Sequence, residues 1–235
     1  MLPIGDRNPT QITPFVNYAL IATNIAVFVW HFFVIGGEAW LTPGYGLVPS
    51  RISNDPAGEA FTVLTSMFMH GGLMHIGANM LFLHIFGDNV EDSVGHARYL
   101  AFYLLSGVGA AAAQFATNPT SPVPMVGASG AIAGVLGAYM VLHPSAPIMV
   151  LLPIGLFIEL PAWLVTGLWF ALQLISGVGG VGGDTAFFAH IGGFVAGLLL
   201  IRPFHAGRER ISRERWSGWR PPPGAQPRPF QSFRR

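Results

Sequence analysis

Charge is missing from long stretches of this chain: from Tyr99 to Ile158 there is no Asp, Glu, Lys or Arg. A helix that crosses a bilayer takes about 20 apolar residues. Six segments approach that length without a charge, at 15–35, 61–87, 99–117, 127–142, 160–177 and 185–201. The pattern therefore predicts an all-α integral membrane protein, a bundle of six transmembrane helices. The fourth and sixth segments are short. Residues 148–158 make about half a span and read as an interfacial piece or a helix extension, the alternative being a seventh span.

Composition agrees with this frame. Charged residues are 10% of the chain, hydrophobic residues 51%, and the mean hydropathy is +0.51, too little charge for an ordinary soluble domain. Residues 1–14 carry no basic leader region and no small-residue cleavage site, so the first span is expected to be retained, behind a short cytoplasmic N-terminal segment. The membrane domain then covers 15–203 and a basic Pro/Arg-rich tail covers 204–235. Nine of the 12 arginines lie from Arg202 onward, opposed only by Glu209 and Glu214. Next to a membrane helix, such a tail is what the positive-inside rule predicts in the cytoplasm, disordered and against anionic lipid, rather than a nucleic-acid site. With six spans both termini face the cytoplasm, and an inner cell membrane is the expected location. There is no Cys, which excludes disulfides, thiolate nucleophiles and Cys metal sites.

Topology also assigns depth. With both ends inside, spans two, four and six enter from the outer face. His70 and His75 then lie near the outer end of span two, and Asn79 follows His75 by four residues on the same helical face. Ser129 stands near the outer start of span four and His190 near that of span six. One at a time, a membrane Ser bonds its own helix backbone and a membrane His or Asn is polar glue between helices. His31, His84 and His143 take that structural reading, while His96 and His205 read as solvated. Matched depth on three segments changes the weighting for the others, since polar groups at membrane depth are functional suspects.

Chemistry supplies a common role. A serine hydroxyl becomes a competent nucleophile when a neutral imidazole takes its proton, which casts Ser129 as nucleophile and His190 as general base. The tetrahedral intermediate needs donors at its oxyanion, and His75, Asn79, the backbone N–H of Ser129 and the Gly127 turn are the candidates. The unpaired N–H groups of a helix start favour an anion there, and Gly127 allows a tight entry into the helix. Gly130 with Gly134, and Gly193 with Gly197, form small-residue pairs that predict close packing of spans four and six.

The segments "HGGLMHIGAN" (70–79), "GASG" (127–130) and "AHIGGFVAG" (189–197), in spans two, four and six, together resemble the rhomboid family of intramembrane serine proteases. The resemblance implies a Ser129/His190 dyad without a triad carboxylate, an oxyanion site at His75 and Asn79, no cofactor, and transmembrane protein substrates cut near their outer end. It also implies an outer loop at 36–60 lying partly in the membrane. Two departures stand out. Familiar members carry a Trp-Arg pair where this chain has Phe61-Thr62, and well-known bacterial members pack an aromatic, four residues after the serine, against the histidine, where this chain has Ala133. Asp184, in a glycine-rich stretch that reads as a cap over the site, is expected to be a loop residue rather than a third catalytic member.

Three other functions compete. A metalloprotease could use His70, His75 and His190, but the HExxH signature and an acidic base at that depth are missing. A non-catalytic rhomboid-like factor that binds membrane segments would be expected to have lost the serine or histidine, and both are present. A transporter would call for an inverted repeat or a charge at mid-membrane, and neither is evident.

Overall fold

The computed structural model describes residues 1–36, 44–179 and 186–207, which are mostly helical. Strand β1 (Leu2–Asp6) precedes helix α1 (Phe15–Trp30), which continues through a π-helical segment, His31–Gly36. Short helices α2 (Pro49–Asn54), α3 (Pro56–Glu59) and α4 (Thr62–Thr65) lead to the long helices α5 (Leu73–Val94) and α6 (His96–Thr117). Helix α7 (Ser129–Leu142) is followed by strands β2 (Pro147–Leu151) and β3 (Phe157–Pro161), then by helices α8 (Ala162–Gly179) and α9 (Phe187–His205). Residues 37–43 of the expected outer loop, Asp184 and most of the glycine-rich cap, and the tail beyond 207 lie outside the described residues.

Among the described residues, four helical segments are long and apolar enough to cross a membrane: residues 15–34, α6, α8 and α9. The chain is an integral membrane protein on that ground. Two of the six expected spans fall short of the same test for different reasons. Helix α5 has 22 residues, but its last turns hold Asp88, Glu91 and Asp92. Helix α7 is apolar but has only 14 residues, roughly 21 Å at 1.5 Å per residue. Every residue of α7 from Gly130 to Tyr139 is buried, so protein rather than lipid surrounds it.

The all-α expectation is corrected at the end of the bundle opposite Ser129. There β1, β2 and β3 form an antiparallel three-stranded sheet in that order. Residues 148–158 are thus not a helix extension; they belong to a hairpin in which Ile148 pairs Leu160 and Val150 pairs Ile158. Ile148 and Val150 are fully buried while their neighbours are less so, the period-two burial of a strand. In the sequence that period is hidden, because both faces are apolar and hydropathy alone cannot separate a short strand from a helix. Gly155, at φ +80°, makes the turn. The N-terminal segment supplies the third strand, from Leu2 opposite Leu151 to Asp6 opposite Ile148.

One buried carboxylate organises this same end. Glu91 of α5 is fully buried and accepts hydrogen bonds from the N–H groups of Val16 (3.0 Å) and Asn17 (2.7 Å) at the start of α1, and it pairs with His96 Nδ1 at 2.5 Å. It thereby satisfies donors that a helix start leaves unpaired, at the positive end of the helix dipole. Asn17 in turn donates to Leu83 O at 3.0 Å and accepts from Tyr99 Oη at 2.8 Å. Helices α1, α5 and α6 are tied together through these groups.

The other organising contact is backbone on backbone. A Cβ built on Gly193 of α9 would overlap Gly130 O of α7, and one on Gly197 would overlap Gly134 O. A Cβ on Gly137 would lie 2.5 Å from Phe194 O. The small-residue pairs therefore meet each other, as their spacing predicts. Gly197→Ala should lower the melting temperature in detergent, overpacking costing about 1–3 kcal/mol. Gly77→Ala should not, because a Cβ there meets nothing within 4 Å and removing a helical Gly gains roughly 0.5–1 kcal/mol. Equal melting of the two variants, followed by intrinsic fluorescence, would overturn the backbone contact.

Candidate active site

Ser129 is the first residue of α7, and the segment before it is anchored on both sides. Leu47 and Met125 exchange backbone hydrogen bonds at 3.1 and 2.7 Å, and Gly127 N–H donates to Ser66 O at 2.9 Å. Gly127 then turns the chain into the helix at φ +125°, a conformation that side chains oppose. On α9, His190 occupies the first turn. Its backbone is held from α6, where Gln114 Oε1 accepts from Ala189 N–H at 3.1 Å. The glycine contact between α7 and α9 places the two side chains together, and His190 Nε2 lies 2.8 Å from Ser129 Oγ.

The other ring nitrogen is also engaged. His190 Nδ1 lies 2.7 Å from Gln173 Oε1 on α8. The Trp169 ring, also on α8, sits 5.8 Å from the imidazole at a tilt of 40°, and Phe187 lies edge-on at 6.4 Å. This accounts for the departure at Ala133. Residue 133 is completely buried within the packed α7 and leaves the imidazole without an aromatic from that helix; α8 supplies one instead.

A third wall comes from α5. His75 Nδ1 accepts from Gly71 N–H at 3.3 Å, which leaves the proton on Nε2, a donor. A Cβ on Gly127 would sit 2.7 Å from that Nε2 and 3.6 Å from Ser129 Oγ. The missing methyl thus leaves space between the two groups, where a carbonyl oxygen could sit. Asn79 is buried and its Nδ2 has no hydrogen-bond partner among the described residues. Both residues line a cleft of about 770 Å³, shared with Ser129, His190, Gly127, Trp169, Met67 and Gly107. Among the expected oxyanion residues, Gly127 has its N–H bonded to Ser66 O, and the space beside it lies between His75 and Ser129.

His70 is buried, with both ring nitrogens unpartnered among the described residues, and packs edge-on to His75 at 5.2 Å. Both nitrogens of His190 are taken by Ser129 and Gln173, and no three His, Asp or Glu side chains among the described residues are grouped to hold an ion. Gln173, Gln114 and Trp169 have no part in the sequence reading. The available signal was a lone amide in the apolar stretch of α8, since polar groups at membrane depth are costly.

This arrangement suits acyl transfer: a hydroxyl against a nitrogen base, a ring held by a second hydrogen bond, and donors across a cleft. The chain is also similar to several known proteins. The chain is 37% identical over 146 residues to rhomboid protease GluP of Bacillus subtilis, covering 62% of this chain and 27% of that protein. It is 33% identical to RHOMBOID-like protein 4 of Arabidopsis thaliana, over 74% of this chain and 41% of the relative. With the mitochondrial rhomboid protein 1 of Saccharomyces cerevisiae it shares 28% identity, over 77% of this chain and 51% of the relative. The chain thus spans between about a quarter and a half of the length of these relatives. The Rhomboid domain description matches residues 57–206, which take in Ser129, His190, His75 and Asn79, and this chain belongs to the rhomboid family.

Proposed function

We propose that the chain is an intramembrane serine endopeptidase that cuts transmembrane segments of other membrane proteins with a Ser129/His190 dyad. The observation that carries this reading is the 2.8 Å contact of His190 Nε2 with Ser129 Oγ, both lining one cleft. In the proposed reaction His190 accepts the Ser129 proton as Oγ attacks the scissile carbonyl. The oxyanion forms in the space beside Gly127, facing His75 Nε2 and Asn79 Nδ2. His190 then passes its proton to the leaving amine, and water, activated by the same imidazole, releases the acyl group from Ser129. No cofactor enters these steps.

The reading extends to topology. Six spans place both termini in the cytoplasm, with α5 and the short, protein-wrapped α7 as the two spans that apolar length does not identify, and with the basic tail held inside by its arginines. The cleft then opens at the outer side, and substrates are cut near their outer end in a cell membrane.

Ser129→Ala and His190→Ala should each abolish both cleavage of a model transmembrane substrate and labelling by a fluorophosphonate probe, while the detergent-purified proteins keep their melting behaviour. Cleavage by Ser129→Ala above a few per cent of the parent rate would overturn the dyad. A wild-type chain that binds the substrate yet neither cuts nor labels would identify a non-catalytic binding factor.

Loss of one oxyanion donor typically lowers turnover about 100- to 1000-fold. Asn79→Ala and His75→Ala should accordingly lower kcat far more than they raise KM, and unchanged kcat in both would refute their assignment. Substrate choice follows from the walls near Ser129. A Cβ on Gly107 would run into Met67, and one on Gly130 would lie 2.6 Å from Ala110 Cβ, so the cleft wall beside Ser129 is closely packed and has no slack to take up a large side chain. A small residue such as Ala at the cleavage position should be cut faster than Phe or Leu, and the reverse order in a peptide series would exclude this site geometry.

A further inference from the structure

From the contact between α8 and the imidazole, we infer that Gln173 is a positioning residue for His190: its amide oxygen holds the proton on Nδ1, so that Nε2 faces Ser129 with a free lone pair. The inference rests on the proposed dyad and deepens it. An imidazole that is to accept the Ser129 proton must be neutral and protonated on the far nitrogen, because the opposite tautomer would present an N–H to Oγ and could take nothing from it. In a triad a carboxylate enforces this choice. Here no Asp or Glu is hydrogen-bonded to His190 among the described residues, and Gln173 Oε1 stands 2.7 Å from Nδ1. A carbonyl oxygen only accepts, so the hydrogen bond requires the proton on Nδ1.

The packing shows why a separate brace is needed. Backbone contacts between α7 and α9 set how far Ser129 lies from the start of α9, and Gln114 fixes the main chain at Ala189. Neither restrains rotation of the imidazole about its side-chain bonds. That freedom is limited from α8, by the Trp169 ring against one face and by the Gln173 amide at Nδ1. A neutral amide also differs in kind from a carboxylate. It selects the tautomer without adding a negative charge at membrane depth, where ions are expensive.

Two substitutions separate positioning from mere packing. Gln173→Met keeps the length of the side chain and removes the carbonyl acceptor; Gln173→Glu keeps an acceptor in the same place. With the full chain in detergent and a model transmembrane substrate, Gln173→Met should lower kcat by about 10- to 100-fold, a part of the 10²- to 10⁴-fold that a general base contributes, with KM within about twofold of wild type. The rate of fluorophosphonate labelling should fall in parallel. Gln173→Glu should restore most of both rates. Wild-type kcat in Gln173→Met, or a Gln173→Glu variant as slow as Gln173→Met, would overturn the inference; the second result would reduce Gln173 to a packing residue. If Ser129→Ala is dead while Gln173→Met is fully active, only the positioning role fails. Activity in Ser129→Ala would remove the dyad itself.

Discussion

The distance between Ser129 and His190 depends on a contact that involves neither side chain. Glycines of α7 and α9 leave their backbones so close that any Cβ at Gly193 or Gly197 would enter a carbonyl of the facing helix. In a bilayer, helices gain little by hiding apolar surface from one another, since lipid is equally apolar, and close packing of small residues is the main source of association. Because the two helices start near each other at the same end, the first residue of one and the first turn of the other are brought within 2.8 Å. Catalytic geometry tolerates little slack, and a rigid backbone seam is a suitable way to provide it.

Around that seam, two groups of polar side chains stand out. At the Ser129 end, His75, Asn79, Gln173 and Gln114 face the cleft or its walls. At the opposite end, Glu91, Asn17, Tyr99 and His96 form a buried network that joins α1, α5 and α6, and a small sheet covers the ends of the helices. Each group in the second region is paired, as a buried charge in a low-dielectric setting requires. In the first region, Asn79 Nδ2 is left without a partner. Of the buried side chains with an unpartnered group among the described residues, Asn79 is the one that lines the cleft, where a bound group can complete the bonding.

Membership of the rhomboid family accounts for the three polar segments and for their order, while the local support of the histidine differs from the resemblance. Where an aromatic on α7 was expected, the chain has the buried Ala133, and the flanking ring comes from Trp169 on α8. The same helix brings Gln173. One side of the proposed base is thus furnished by α8, a helix with only 17% of its spanning window buried, while α7 and α9 supply the dyad itself.

The sequence by itself determined the features that depend on local composition: apolar stretches of membrane length, the placing of Ser129, His190, His75 and Asn79 at one level of the bundle, where they line one cleft, and the glycine spacing that lets two helices touch. These were legible because hydropathy and helical periodicity are properties of neighbouring residues. Residues 148–158 were not, since an evenly apolar strand carries no alternating pattern, and its partner β1 lies more than a hundred residues away in the chain. Nor was the extension of α5 through Asp88, Glu91 and Asp92, whose charges suggest a loop until α1 is placed to receive Glu91. Only the tertiary structure decided that the Gly127 N–H bonds Ser66 O, that Trp169 flanks the His190 ring, and that Gln173 meets His190. Each of these depends on which atom of one helix faces which atom of another, a property of packing that no single segment encodes.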